Sequence, residues 1–220
     1  MQHTQELVAV FAWPKDQWLA VQALRSAQAM AVINIATPVT EKRQVARSLV
    51  RSALRETLAV LLGQPAASIA LTSPPGGAIQ VDSTLFQLSL SISHSPGMSV
   101  AAICQGAAIG IDVMQIEAVT LGHPERMRLA SDYLGPQVTA ELQSAPPATL
   151  SSAFAQAWTD FEAVLKCLGL GLTEWSPALA TRLASCRILA LDLPAGYCGS
   201  IATGAADSHA AIRYLGKEPE

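Results

Sequence analysis

Between positions 86 and 93 the chain alternates strictly: Phe86, Leu88, Leu90 and Ile92 are apolar, while Gln87, Ser89, Ser91 and Ser93 are polar. A period of two belongs to a strand with one face buried, because a helix would scatter these apolar side chains around its axis. A turn at Ser95-Pro96-Gly97 follows, then a second apolar run at 98–104, a turn at Gln105-Gly106 and a third run at 107–113. Three short strands joined by tight turns predict an antiparallel meander. In a meander the first and third strands run the same way, so their C-terminal ends share one edge. His94 and Asp112 are therefore expected at a common edge of the sheet.

The other elements are legible from period and punctuation. Residues 5–12 read as a strand, and Thr37-Pro38-Val39-Thr40 opens a helix expected over 41–62. In that helix Val45, Leu49, Leu54, Leu58, Leu61 and Leu62 make an apolar stripe, with Arg47, Arg51 and Arg55 on another face. After a polar stretch, a second long helix is expected over 150–168, where Phe154, Trp158, Phe161 and Leu165 fall at i, i+4, i+7 and i+11. Glu162 and Lys166 lie one turn apart on a neighbouring face, and Gly169-Leu170-Gly171-Leu172 stops the helix. Residues 187–193, 196–203 and 210–215 read as strands. The order predicts an α+β fold of two similar subdomains, 1–106 and 107–220, each a main helix on a small, largely antiparallel sheet.

Composition removes several classes of function. Half of the 220 residues are apolar and 14% are charged, enough for a sizeable core. Even so, no apolar run reaches the length of a membrane span. The first residues carry no basic region ahead of their apolar run, so a secretory signal is not expected. With a net charge of −3 and no basic stripe, nucleic acid is not an expected partner. The basic cluster Lys42, Arg43, Arg47, Arg51 and Arg55 is by itself an ordinary solvated helix face. Cys104, Cys167, Cys186 and Cys198 form no CxxC pair and sit in apolar stretches, which suits buried free thiols in a cytoplasmic protein.

Taken singly, His94, Asp112, Glu162 and Lys166 each have an ordinary structural explanation: a strand end, a turn, a helix ion pair. Taken together, two convergent carboxylates suit Mg²⁺, and a nearby Lys and His suit phosphates. That combination points to phosphoryl-type transfer.

The motifs carry a resemblance as well. Ser93-His94-Ser95 is followed by Gly110-Ile111-Asp112-Val113-Met114, then by Trp158-Thr159-Asp160-Phe161-Glu162-Ala163-Val164-Leu165-Lys166, then by the glycine-rich 169–172. Ala46-Arg47-Ser48-Leu49-Val50-Arg51 precedes them. In order and spacing this resembles the surfactin-synthetase-activating type of 4′-phosphopantetheinyl transferase, over roughly residues 40–205. The resemblance implies transfer of 4′-phosphopantetheine from coenzyme A to a serine of an acyl or peptidyl carrier protein, with release of 3′,5′-ADP. It implies Asp112 and Glu162 as Mg²⁺ ligands, with Glu162 also assisting deprotonation of the carrier serine. It implies Lys166 as the cation facing the transferred phosphate, and Arg47, Ser93 and His94 as contacts of coenzyme A. It implies two similar subdomains with the cofactor between them, and a monomer.

Three positions depart from the family pattern. Met114 stands where a second acid is usual, and a thioether is a poor Mg²⁺ ligand. Phe161 replaces a Lys before the helix glutamate, and Gly77-Ala78-Ile79 lacks the Lys of the family's Gly-Lys-Pro element. Residues 26–37 supply no basic side chain, so coenzyme A is expected to bind more weakly or differently. The alternative is a degenerate member that binds coenzyme A or a carrier with little catalysis. An unrelated Mg²⁺-dependent nucleotide hydrolase is the third reading.

Overall fold

A computed structural model describes residues 7–39, 43–74, 77–81, 87–118 and 122–204. The strand expected over 5–12 is two strands, β1 (Leu7–Val8) and β2 (Val10–Ala12), with Ala9 between them. Each joins a different sheet. β2 runs parallel to β3 (Met30–Ala36), whose other neighbour is β7 (Met98–Gln105), paired in turn with β6 (Leu88–Ser95). β1 runs parallel to β9 (Arg187–Leu191), followed across the second sheet by β10 (Tyr197–Thr203) and β8 (Ile109–Gln115). All other pairings within these two sheets are antiparallel, and β4 (Leu71–Thr72) and β5 (Gln80–Val81) form a separate antiparallel pair. The architecture is mixed α+β, as expected.

The expected meander is corrected at its third strand: β8 leaves β7 and enters the second sheet. The reason is burial. Folding over brings Ile109, Ile111 and Val113 onto Val100, Ala102 and Met98, on the back of the first sheet. Both β6 and β8 then become edge strands, lying side by side. Edge N–H groups buried away from water need acceptors. The backbone amides of Ile111, Val113 and Gln115 donate to the hydroxyls of Ser91, Ser93 and Ser95, at 3.1, 3.4 and 2.9 Å. The polar half of the alternation is therefore a seam rather than a wet face, and Ser91 and Ser93 are buried. At the opposite edge the continuous chain from β1 to β2 links the same two sheets.

Helices cover the outer faces. α1 (Gln17–Arg25) and α2 (Arg43–Leu62) bury Leu24, Val50, Leu54 and Leu58 against Ile33, Ile35 and Ile103 of the first sheet. α1 and β3 have no counterpart among the elements expected from the sequence. The long second helix is α5 (Pro147–Cys167), lying on β8 and β10 of the second sheet. The polar stretch before it folds as α3 (His123–Leu129), a π turn over 130–134, and α4 (Gly135–Ser144), which place Ala130 and Leu142 against Leu150 and Phe154. α6 (Pro177–Leu183) is capped by Ser176, whose hydroxyl accepts from the Leu179 amide. Phe86, Thr40, Lys42 and the strand expected over 210–215 lie outside the described residues. Among the described residues no helix is long and apolar enough to cross a membrane.

Candidate active site

The site begins with a glycine. Gly110 on β8 faces α5 so closely that a Cβ there would lie 2.0 Å from the Ala163 carbonyl oxygen and 2.4 Å from the Cys167 amide nitrogen. Only a residue without a side chain lets the helix backbone rest on the strand. That contact sets Glu162 and Lys166, one helical turn apart, over the strand positions that follow Gly110.

There the side chains meet. Lys166 Nζ donates to Asp112 Oδ1 at 2.6 Å and to the Ile111 carbonyl at 3.1 Å. It also lies 3.8 Å from Glu162 Oε2. Ser93 Oγ donates to the same Asp112 Oδ1 at 2.7 Å. Trp158 Nε1 donates to Glu162 Oε1 at 3.0 Å, one turn earlier on α5. Asp112 is buried, whereas Glu162 and Lys166 are part-exposed. Burial, and secondly the charge of Asp112, push the Glu162 carboxyl above its usual range, against the opposing pull of Lys166 and the Trp158 hydrogen bond. Behind the acids, Ser200 is paired in register with Asp112 and donates to Asp160 Oδ1. Gln156 Nε2 holds both Ser200 and Asp160, at 2.7 and 2.9 Å.

Lys166 stands between the acids and a cleft of about 540 Å³. The cleft is walled by Arg47 and Arg51 of α2, by Ser91 and Ile92 of β6, by residues 77–79, and by Gly169 and Leu170 just past α5. Arg51 is fixed within it, donating to the Leu71 carbonyl at 3.0 Å and to Ser73 Oγ at 2.7 Å. His94 points to the face opposite Ser93 and shares a 2.7 Å hydrogen bond between Nδ1 and Ser99 Oγ. Burial, with the positive charges of Arg43, Arg47 and Lys166, holds its pKa down at about 4, so the imidazole is neutral at physiological pH. Its Nε2 is buried without a hydrogen-bond partner among the described residues.

Six residues were singled out from the sequence. Asp112, Glu162, Lys166 and Ser93 meet through direct contacts. Arg47 and Lys166 line the cleft, and His94 lies within electrostatic reach of both. Trp158 and Arg51, as well as Gln156 and Ser200, have roles in the geometry that the sequence does not announce. Trp158 reads as apolar stripe, although its place four residues before Glu162 on a helix is the signal for a contact. Arg51 reads as solvated surface, although it shares the face of Arg47 one turn on. Phe161 is buried with Leu165 and Leu179, which accounts for an apolar residue at that position.

Among the described residues there is no group of three or more His, Cys, Asp or Glu side chains arranged around one point. Two carboxylates nevertheless fit Mg²⁺, which keeps several waters and takes phosphate oxygens from its substrate. The donor set is all oxygen, and two acids press on each other across one lysine. An acid pair beside an arginine- and lysine-walled cleft can hold a divalent ion together with phosphate oxygens. Residues 108–206 match the family model of the 4′-phosphopantetheinyl transferase superfamily. The matched segment contains Asp112, Glu162 and Lys166, and it supports phosphopantetheine transfer as the general reaction. Comparison with curated proteins found no match.

Proposed function

We propose that the protein transfers 4′-phosphopantetheine from coenzyme A to a serine hydroxyl of an acyl or peptidyl carrier protein, with Mg²⁺, in the manner of the surfactin-synthetase-activating type. The observation that carries this reading is the convergence of Asp112 and Glu162 on Lys166 at the mouth of the cleft. Asp112 and Glu162 would hold Mg²⁺, which when bound neutralises the diphosphate of coenzyme A. Glu162 is the base. Burial and its acidic neighbour raise its proton affinity, which suits a carboxylate that must take the serine proton. The serine oxygen bonds to the phosphorus bearing the pantetheine arm, and the bond from that phosphorus to the bridging oxygen breaks. The electron pair leaves with 3′,5′-ADP. Lys166, on the cleft side of the acids, offsets the charge that grows on the leaving phosphate. Arg47, Arg51 and the neutral His94 receive the 3′-phosphate and adenosine end. A division at 106/107 would run along the serine seam and the cleft, separating β6 and β7 from β8, although β1 of the first part pairs with β9 of the second.

The test is the mass of an apo carrier protein after incubation with this protein, coenzyme A and Mg²⁺. Gain of one phosphopantetheinyl group supports the reading. No gain on fatty-acid, polyketide or peptide carriers, with coenzyme A still bound, identifies a degenerate member, the alternative that Met114 and Phe161 raise. Breakdown of coenzyme A without a carrier identifies a hydrolase.

A further inference from the structure

We propose that Ser93 is a positioning residue for Asp112 and not a contact of coenzyme A; this rests on the functional reading above. A serine hydroxyl has one proton to give. In Ser93 that proton goes to Asp112 Oδ1 at 2.7 Å, and its lone pair accepts the Val113 amide at 3.4 Å. The residue is 6% exposed. Its neighbours Ser91 and Ile92 line the cleft, while the Ser93 hydroxyl is turned to the acid. Within the seam, Ser91 and Ser95 accept from a backbone amide. Ser93 adds to that a bond to a carboxylate.

The consequence is geometric. Ser93 from β6 and Lys166 from α5 approach the same oxygen, Oδ1, from two different elements. Two donors on one oxygen hold the rotation of the carboxylate, and Oδ2 is the oxygen that would be left for a cation. Hydrogen bonds of this kind set the orientation of metal-binding carboxylates, and their loss costs metal affinity. Ser93 thereby also links the first sheet to an acid carried by the second.

The experiment compares Ser93→Ala with Ser95→Ala, which removes a rung of the seam without touching Asp112. Mg²⁺ is titrated calorimetrically into the protein–coenzyme A complex, and coenzyme A into metal-free protein. Ser93→Ala is expected to weaken Mg²⁺ binding by about tenfold or more while metal-free coenzyme A affinity stays at the wild-type value. Ser95→Ala is expected to leave Mg²⁺ affinity unchanged, and Ser93→Thr, which keeps the hydroxyl, to restore it. Should the alanine variant not fold, Ser93→Cys supplies a weak donor of similar size, with a smaller loss in the same direction. The proposal is overturned if Ser93→Ala weakens metal-free coenzyme A binding and the loss disappears with 3′-dephospho-coenzyme A, which would make Ser93 a phosphate contact. It is equally overturned if Ser93→Ala and Ser95→Ala change Mg²⁺ affinity alike. A wild-type protein that binds no Mg²⁺ in the presence of coenzyme A refutes the functional reading itself, independently of any variant.

Discussion

Lys166 and Asp112, 54 positions apart in the chain, are joined by a 2.6 Å ion pair that ties the last turn of α5 to the edge strand β8. The pair does two things at once. It compensates a buried carboxylate, and it holds the lysine at the boundary between the acids and the cleft.

Replacing Lys166 by Met separates these roles. The variant leaves Asp112 buried without its cation, so the melting temperature falls. Transfer falls by about 10²–10³ in kcat. Adding Asp112→Asn to the same chain restores much of the melting temperature and none of the activity. Thermal melts and carrier-mass assays on the single and double variants check this.

Glu162→Gln keeps the shape of the side chain and its hydrogen bond to Trp158, and it removes the base and one metal ligand. Transfer is expected to fall by at least about 10²-fold, with the circular dichroism spectrum unchanged. A variant with near-normal rate would move the base elsewhere.

Gly110→Ala forces a methyl against the backbone of α5, where the nearest atoms are backbone and cannot swing away. A loss of about 1–3 kcal/mol or more is expected from overpacking, read by chemical denaturation. Activity falls further than stability, because α5 carries Glu162 and Lys166 away from Asp112 as it shifts.

His94 gives the acid limb of stability a definite sign. Its folded-state pKa, about 4, lies below the ordinary value of 6.5. As pH falls below 6.5 the unfolded chain takes up the proton and the folded chain does not, so the folded state loses ground until about pH 4. A His94→Gln variant lacks this titration. Its melting temperature relative to wild type is expected to rise as pH is lowered from 7 toward 4, and a constant difference across that range would contradict the burial of a neutral imidazole.

Much of the site was legible because its residues sit in elements with strong periods. The stripe Phe154, Trp158, Phe161 and Leu165 fixed the helix, and hence the face carrying Glu162 and Lys166. The alternation at 86–93 predicts a strand, and hence the direction of Ser93. What the alternation concealed was the purpose of its serines, since period two reports which side is apolar and not whether the other side meets water. Ser91, Ser93 and Ser95 are polar because they serve backbone amides of another strand. The exit of β8 to a second sheet was equally hidden: Ile109, Ile111 and Val113 suit either sheet, and only the full packing of the centre selects one. The helices between 123 and 144 carry short, weak apolar patterns, and their burial depends on Leu150 and Phe154 from α5.

The central claim is that Asp112 and Glu162 hold one divalent ion beside coenzyme A. Calorimetric titration of Mg²⁺ into the protein–coenzyme A complex tests it most directly. The account predicts one ion per wild-type chain, with binding lost in both Asp112→Ala and Glu162→Gln while each still binds coenzyme A. Wild-type Mg²⁺ affinity in either variant would contradict it.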